Sequence, residues 1–263
     1  MQEGDLDARV EPTGGAEMEQ LARALNRLAA TLSREEELRK EATADLAHEL
    51  RTPLTGIISR IEAAQDGVLA DQAANLEATH TEALRLNQLV SDLGRLAEAQ
   101  QPSLLLARAP IDLAELATAR ADVRAPAFAE KGLALHVEAR PAVVAGDAGR
   151  LGQILDNLLS NALRYTDGGE VTLRTFIDAD DAVVEVSDSG IGLSGEELPH
   201  VFERFWRSDK SRARSRGGAG IGLAIVRELV RAHEGRIDVS SHPGEGTTFS
   251  IRIPLLRETT PVR

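Results

Sequence analysis

His48 is the residue of this sequence best placed to do chemistry. It lies in the segment ADLAHELRTPLTGI, directly before Glu49 and four residues before Thr52. At about 100° per residue, His48 falls roughly 200° around a helix from the apolar stripe that contains Leu50 and Leu54. We therefore expect its imidazole to face solvent.

Three neighbours favour a reactive role for His48 over that of an ordinary surface histidine. The Glu49 carboxylate can accept the imidazole proton, which makes the other ring nitrogen more nucleophilic. Thr52 lies one turn on, so it shares a helix face with His48. Pro53 lacks an N–H and crowds the preceding turn, at a cost of about 3 kcal/mol, and this predicts a local hinge. A zinc-protease HExxH motif is excluded, because Thr52 stands where its second histidine is needed.

A second group of candidate residues lies on the segment RLGQILDNLLSNALRYT. Asn157 and Asn161 are four residues apart, and Arg164 and Tyr165 close the last turn. An amide oxygen is a hard ligand suited to Mg²⁺, which shares its remaining positions with water and phosphate oxygens. A solvent-facing polar stripe is the alternative interpretation of the two asparagines.

Two glycine-rich segments follow. In VEVSDSGIGL, Asp188 ends a predicted strand and can accept the amino group of adenine, while its glycines let a ligand approach the backbone. In RGGAGIGLAIVRELV, glycines lead straight into a helix, which presents backbone N–H groups to phosphates. Neither the dinucleotide motif nor a Walker A loop fits, because Leu223 replaces the third glycine and no Gly-Lys-Ser/Thr follows. The glycines concerned are Gly190, Gly192, Gly217, Gly218, Gly220 and Gly222.

Two kinds of element must position these residues. The first third of the chain predicts three helices. The first has Leu21, Leu25, Leu28 and Leu32 on a coiled-coil-like seam, and the charged stretch REEELRKE separates it from the second, which ends at a short break at Gly67. The third ends at Pro102, and its predicted apolar stripe consists of Leu76, Ala83, Leu86, Val90, Leu93 and Ala97. Two long helices joined by a short turn predict a hairpin, and pairing two hairpins in a four-helix bundle predicts a homodimer. From about Ile111 the pattern predicts a mixed sheet with helices on one face. The predicted strands are 171–177, 182–187, 236–241 and 247–253, and the predicted helices are 150–165 and 221–233.

Composition narrows the classes of function. The net charge of −12 argues against a general nucleic-acid binder, and the absence of cysteine excludes disulfides and thiolate metal sites. We expect a chain that is soluble as given, because no apolar run could span a bilayer. The basic run from Arg204 to Arg216 is either a loop beside a phosphate site or a solvated loop. The other histidines, at 80, 136, 200, 233 and 242, lack a neighbouring base and hinge and are interpreted as surface or structural groups.

Together these motifs resemble the transmitter region of bacterial sensor histidine kinases. HELRTPL resembles their phosphoacceptor box, DNLLSNALRYT the asparagine box, DSGIGL and GGAGIGLAIV the two glycine boxes, and VFERFW the phenylalanine box. PGEGTTFSI resembles the entry to the last strand of that fold. The segment GDLDARVEPTGGAEMEQLARALNRLAATL resembles the second half of a HAMP linker, but it lacks the glycine of the usual turn.

The resemblance implies a role for each matched residue. It implies that His48 accepts the phosphoryl group, that Glu49 is the base, and that Thr52 positions water for dephosphorylation of the partner. It implies ATP and Mg²⁺ as cofactors, with Asn161 as the metal ligand, and Phe202 and Phe205 as anchors of a lid formed by the basic run. The residues implied to bind the nucleotide are Asn157, Asn161, Arg164, Tyr165, Asp188, Gly190, Gly192, Gly218, Gly220, Gly222 and Thr247.

The resemblance also implies an organisation. It predicts a partial HAMP linker and signalling helix (1–33), a dimerisation and histidine phosphotransfer domain (34–101), a GHKL-type α/β sandwich that binds ATP (102–258) and a tail (259–263). The implied partner is the receiver domain of a response regulator. The implied location is the cytoplasmic portion of an inner-membrane protein, whose contact with the membrane would be made only by N-terminal segments that are missing from this chain. A GHKL-fold ATPase that does not phosphorylate histidine, and a non-catalytic dimeric scaffold, are the alternatives.

Overall fold

The computed structural model describes residue 10 and residues 15–67, 71–99, 106–208 and 220–256. The chain divides into two compact units, residues 1–83 and 84–263, and the boundary falls inside the second helix. None of the helices in the described ranges is both long enough and apolar enough to cross a membrane.

Helix α1 spans Ala16–Gln65 as one element of 50 residues. The sequence predicted two helices separated by the charged stretch REEELRKE. They merge because Glu, Lys and Arg are good helix formers and do not interrupt a helix. Pro53 lies inside the helix, and the predicted hinge there stays a prediction. The helix ends where the Asp66 N–H donates to the Glu62 carbonyl and Gly67 takes a φ of +69°, at the predicted break.

Helix α2 spans Gln72–Ala99 and begins at Asp71, whose carboxylate accepts a hydrogen bond from the Ala74 N–H at 2.9 Å. The Asn75 side-chain amide donates to the Arg60 carbonyl of α1 at 3.2 Å, so the two helices meet beside the turn. The predicted apolar stripe of α2 was partly wrong: Leu89 and Leu96 are buried, whereas Val90 of the predicted stripe is 54% exposed. The buried stripe lies one residue, or about 100°, away from the predicted one.

Besides the later part of α2, the described residues of the second unit form two sheets and three helices. The strands are β1 (Ala109–Asp112), β2 (Ala134–Ala139), β3 (Val143–Gly146), β4 (Glu170–Asp178), β5 (Asp181–Asp188), β6 (Arg236–His242) and β7 (Gly246–Pro254). The helices are α3 (Leu113–Glu130), α4 (Ala148–Tyr165) and α5 (Gly222–Ala232). A short 3-10 turn covers Leu198–His200.

The main sheet has the strand order β2-β4-β5-β7-β6. Strand β2 runs parallel to β4, and the other neighbours are antiparallel. Alternate residues of β4 are buried, among them Val171, Leu173 and Thr175, so one face of the sheet packs on the helices. Leu158 of α4 and Leu229 of α5 are fully buried in the same core. The predicted mixed sheet with helices on one face is confirmed.

A small sheet pairs β1 with β3 in antiparallel orientation. The chain returns to it after β7: Leu255 forms an isolated bridge with Val144, and the Leu256 N–H donates to the Val143 carbonyl at 2.9 Å. The last described residues therefore complete a sheet that begins before α3.

The start of α4 is fixed by Asp147. Its carboxylate accepts hydrogen bonds from the Gly149 and Arg150 N–H groups at 2.9 and 3.1 Å, the usual role of an N-cap residue. Burial opposes ionisation of Asp147, but these bonds and one from the Ala107 N–H outweigh it and hold its pKa below the ordinary value. The Asp147 N–H donates to Nε2 of the buried His233, whose Nδ1 then donates to the Leu229 carbonyl. Through this imidazole the beginning of α4 is tied to the end of α5.

Candidate nucleotide site

The asparagines of α4 lie close to the first residue of α5. A Cβ placed on Gly222 would be 3.5 Å from the Asn157 Oδ1, so backbone and amide are in near contact. Asn157, Asn161, Arg164 and Tyr165 are all half-buried. The Asn157 Nδ2 is buried and has no hydrogen-bond partner. The sequence-based grouping of Asn157 with Gly222 is therefore reproduced in space.

The loop after β5 packs against the other end of α4. Asp188 is the last residue of β5, and its Oδ1 accepts a hydrogen bond from the Gly190 N–H at 2.9 Å. The Ile191 N–H donates to the Tyr165 carbonyl at 3.2 Å, which brings the loop to the end of α4. A Cβ on Gly190 would lie 2.5 Å from that carbonyl, so a glycine is needed for the approach. The loop after Asp188 thus meets Tyr165 at one end of the helix, and both residues are among those that the resemblance implies to bind the nucleotide.

Burial raises the pKa of the Asp188 carboxyl above its ordinary value of 3.8, although hydrogen bonds from Gly190 and Thr247 and the nearby Thr166 hydroxyl oppose the shift. The Thr166 hydroxyl is fully buried and makes no hydrogen bond of ordinary geometry. A carboxylate and an orphaned hydroxyl in one buried place suit a ligand that both donates and accepts hydrogen bonds.

Thr247 is opposite Asp188 in the β5–β7 ladder and is buried. Its hydroxyl lies 2.9 Å from the Ser241 Oγ, which also accepts a hydrogen bond from the Leu193 N–H at 2.8 Å. Ser241 therefore joins Thr247 to the loop that follows Asp188. Sequence reasoning missed Ser241 and Thr166; Thr166 directly follows Tyr165, and that adjacency was the available signal.

Gly220 takes a φ of +69°, and a Cβ on it would lie 2.7 Å from the Phe205 carbonyl carbon and the Trp206 oxygen. Phe205 is buried and takes an unusual φ of +61°, while the Phe202 ring lies 6.3 Å from the Phe249 ring in an edge-to-face arrangement. The two phenylalanines therefore hold the chain at the start of the basic run, and the lid itself stays a prediction.

Several predicted residues lie outside the part of the chain that the structure describes. They are Gly217, Gly218 and the basic run from residue 209 onward. The backbone of α1 passes through His48 and Glu49, but their side chains are also outside the described part, so the solvent-facing orientation of His48 stays a prediction. Thr52 is described and is exposed on α1.

Asn157 and Asn161 of α4 carry amide oxygens, the kind of ligand that suits Mg²⁺. Within the described ranges no group of three or more His, Asp or Glu side chains could hold a metal by itself. Mg²⁺ usually binds through one or two protein groups and the phosphates of its substrate. The amides of Asn157 and Asn161 can serve in that way.

The other histidines correct one sequence-based statement. His136 Nε2 lies 3.4 Å from a Glu170 carboxylate oxygen, and His200 Nδ1 lies 2.9 Å from Glu203, so the prediction that they lack a neighbouring base was wrong. These partners come from the paired strand β4 and from a turn, which sequence adjacency does not reveal. Both pairs are exposed, in line with the surface interpretation.

Three family models match the chain in consecutive stretches. The HAMP domain matches residues 1–34, and the His Kinase A (phospho-acceptor) domain matches residues 38–102. The histidine kinase-, DNA gyrase B-, and HSP90-like ATPase matches residues 146–257. The stretches contain the three segments that the motifs marked.

The chain is also similar to named relatives. The signal transduction histidine-protein kinase BaeS of Escherichia coli is 38% identical over 258 residues, which cover 97% of this chain and 55% of the relative. The sensor histidine kinase MtrB of Mycobacterium tuberculosis is 36% identical over 274 residues, which cover 97% of this chain and 47% of the relative. This chain thus spans about half the length of each.

Solved structures agree with the fold. Full-length ShkA in complex with AMPPNP is 29% identical and has a TM-score of 0.60, and the similarity covers 87% of this chain and 47% of ShkA. The Acinetobacter baumannii histidine kinase AdeS, at 24% identity, has a TM-score of 0.65 over 80% of this chain and 98% of its own, which supports the fold alone. With its HAMP, phospho-acceptor and ATPase segments in this order, the chain belongs to the sensor histidine kinases.

Proposed function

We propose that this chain uses ATP to phosphorylate His48 and passes the phosphoryl group to an aspartate on the receiver domain of a response regulator. The observation that carries the proposal is the arrangement along α4, in a chain that also contains the phospho-acceptor segment: the loop after Asp188 contacts Tyr165 at the end of the helix, and Asn157 lies beside Gly222 further back. The ShkA structure, similar in sequence and fold, holds AMPPNP, an analogue of ATP.

The resemblance to histidine kinases gives each pocket residue a proposed part. The Asp188 carboxylate accepts a hydrogen bond from the amino group of adenine, and Tyr165, at the end of α4, stacks on the adenine ring. Asn161 would hold Mg²⁺, with Asn157 beside it, and Arg164 would contact the phosphates. Thr247 and the glycines at 190, 192, 218, 220 and 222 line the pocket. The bound Mg²⁺ would neutralise charge on the phosphates.

The chemical step is a phosphoryl transfer. A ring nitrogen of His48 attacks the γ-phosphorus, the bond from that phosphorus to the bridging oxygen breaks, and ADP leaves. Glu49 accepts the proton from the other ring nitrogen. Catalysis then depends mostly on positioning and on neutralising charge. The phosphoramidate formed is reactive enough to transfer its group to a carboxylate. In a separate phosphatase reaction, Thr52 positions the water that hydrolyses the aspartyl phosphate of the partner to free phosphate.

The helical segment is proposed to form a homodimer, with residues 34–101 as the dimerisation and phosphotransfer domain. Apolar side chains of α1 remain exposed in the single chain, among them Leu54, Ile58 and Ile61. Exposed apolar surface of this kind marks a contact surface, and a second hairpin would cover it. We expect a dimer by light scattering, and Leu54→Glu with Ile58→Glu to give a monomer.

The HAMP match and the names of the relatives support a membrane receptor. We propose that this chain is the cytoplasmic part of an inner-membrane protein, with residues 1–33 as part of the linker from the membrane and residues 102–258 as the ATP-binding domain. Expression of the full-length protein followed by membrane fractionation tests this.

The test of the kinase is incubation with γ-labelled ATP. Label on the protein that is acid-labile and base-stable, lost in His48→Gln and kept in the matched control His80→Gln, supports histidine phosphorylation. Release of phosphate without protein label would instead identify an ATPase of the same fold. Failure to bind ATP, with Asn161→Ala making no difference, would identify a non-catalytic scaffold.

Transfer is tested by adding a panel of receiver domains to the labelled chain. Rapid movement of the label to one of them identifies the partner. Thr52→Ala should keep autophosphorylation but lose dephosphorylation of that receiver domain. Equal phosphatase rates in Thr52→Ala and in the original chain would refute the role of Thr52.

A further inference from the structure

Lys131 ends α3 in a tightly defined backbone conformation. Its N–H donates to the Ala127 carbonyl at 3.3 Å, and the next N–H groups, of Gly132 and Leu133, donate to Ala129 and Phe128 at 3.0 and 2.9 Å. Gly132 takes a φ of +72°, which favours glycine and stops the helix. The Lys131 side chain therefore leaves from a fixed point beside α4.

Its ammonium group binds the carboxyl-terminal end of α4. The Nζ donates to the Leu163 and Thr166 carbonyl oxygens at 2.6 Å each, and the Arg164 oxygen is 3.5 Å away. The last carbonyls of a helix lack partners within the helix and carry its negative end, so a cation is favoured there. An ammonium has three N–H donors, which match three carbonyl oxygens.

These carbonyls surround Tyr165, the residue that meets the Asp188 loop. The Tyr165 carbonyl accepts a hydrogen bond from the Ile191 N–H, and the Thr166 hydroxyl is buried beside the Asp188 carboxyl. The contacts from Lys131 therefore reach the adenine end of the pocket through Tyr165, the last residue of α4, and Thr166, which follows it. The phosphate end, near Asn157 and Gly222, lies more than one turn away along the helix.

We propose that Lys131 is a positioning residue of the nucleotide pocket: its ammonium holds the carbonyls on both sides of Tyr165, so that Tyr165 and the Thr166 hydroxyl form the wall against which adenine binds. The inference rests on the proposed ATP-binding role of these residues. Lys131 touches no substrate and acts through its neighbours. Its removal should weaken nucleotide binding without slowing the chemical step once ATP is bound.

The chain offers a matched control for such a cation. Arg124, also on α3, lies 3.4 Å from the Asp156 carboxylate in the middle of α4, and Arg120 contacts the same carboxylate at 3.2 Å. Arg124→Met removes a contact between the same two helices far from the adenine end. It should lower stability without a specific effect on the nucleotide.

The experiment measures ADP binding by calorimetry without Mg²⁺, and KM and kcat of autophosphorylation, in the full chain. For Lys131→Met we expect the Kd of ADP and the KM of ATP to rise roughly tenfold, with kcat at saturating ATP within about twofold of the original, because a charge-assisted contact that shapes the free pocket is lost. Arg124→Met should stay within about twofold in both constants. Lys131→Arg should restore most of the affinity, and Lys131→Gln, which keeps donors without charge, should fall between.

A double-mutant cycle with Thr166→Val tests the route. If Lys131 acts through Thr166, the two losses of ADP affinity should be clearly less than additive. The proposal is overturned if Lys131→Met lowers thermal stability like Arg124→Met but leaves ADP affinity unchanged, or if the losses add fully. If the unmodified chain binds ADP but forms no phosphohistidine, the kinase proposal fails, and the ADP measurements still decide the role of Lys131.

Discussion

Gly192 should be the least replaceable glycine of the nucleotide loop. It takes a φ of +63°, and a Cβ at this position would overlap the carbonyl oxygen of His242 and lie 2.7 Å from its carbonyl carbon. Gly244, on the facing hairpin, takes a φ of +83°, but a Cβ there would meet nothing within 4 Å. Gly244→Ala therefore measures the backbone cost alone, and Gly192→Ala measures backbone and collision together.

The magnitude follows from what the loop must give up. An alanine at positive φ costs about 1 kcal/mol in either position. To relieve the collision, the loop must withdraw from the hairpin, which weakens the hydrogen bond from the Gly244 N–H to the Ile191 carbonyl at 2.9 Å and that from the Leu193 N–H to Ser241 at 2.8 Å. At about 1 kcal/mol for each bond, Gly192→Ala should cost roughly 3 kcal/mol of unfolding free energy.

The assay is urea unfolding followed by the fluorescence of Trp206, the single tryptophan of the sequence, which lies in the second unit. We expect Gly192→Ala to be about 2 kcal/mol less stable than Gly244→Ala and to bind ADP at least tenfold more weakly, because its loop joins Asp188 to Leu193. Equal stability of the two variants, with ADP affinity unchanged in both, would show that the loop is not held against the hairpin as described.

Three further predictions concern buried polar groups. Because burial raises the pKa of Asp188, its carboxyl takes up a proton at a pH above the ordinary aspartate value of 3.8, and ADP affinity should begin to fall there. In calorimetric titrations, Asp188→Asn should bind ADP about tenfold more weakly at neutral pH, and its affinity should not fall further as the pH is lowered. Burial lowers the pKa of His233, so the free energy of unfolding should decrease as the pH falls below 6.5, because the imidazole gains a proton more readily in the unfolded chain. His233→Leu should remove this pH dependence and should cost about 1–3 kcal/mol of unfolding free energy at pH 8. If the urea midpoints of His233→Leu followed the same pH profile as those of the original chain, the assignment would be contradicted. Thr175→Val should cost about 1–2 kcal/mol of unfolding free energy in the urea assay. The buried Thr175 hydroxyl accepts a hydrogen bond from the Arg140 N–H and donates one to the Arg140 carbonyl, both at 2.9 Å. A loss below 0.5 kcal/mol, roughly the scatter of neutral surface changes, would refute this prediction.

The elements that carry the site were largely predictable from sequence. Helix α4 was predicted to begin at residue 150 and begins at residue 148. It was easy to predict because its apolar stripe is regular and because Asp147 is a clear N-cap residue. Strands β4 to β7 were predicted within a few residues, because buried and exposed positions alternate in them.

Other elements gave weak signals. Helix α3 is rich in alanine and contains Pro126, so no apolar stripe marks it. Strand β2 lies at the edge of the sheet with most side chains exposed, and β1 and β3 have four residues each. Periodicity cannot reveal elements this short or this exposed.

The residues of the pocket were found by their motifs, but the contacts that shape the pocket were not. The bonds of Lys131 to Leu163 and Thr166, and of Ser241 to Leu193, join residues more than thirty positions apart. They depend on how α3 packs on α4 and on how the β6–β7 hairpin faces the loop after β5. No local pattern encodes such distances.

The pairing of Leu255 and Leu256 with β3 has a consequence for biosynthesis. A ribosome delivers the chain from its amino terminus, so β3, and α4 directly behind it, emerge long before the segment that completes their small sheet. The second unit cannot reach its final packing during translation until Leu256 has cleared the exit tunnel. Until then β3 presents an open edge, and this is the stage at which chaperones would protect the nascent kinase from aggregation.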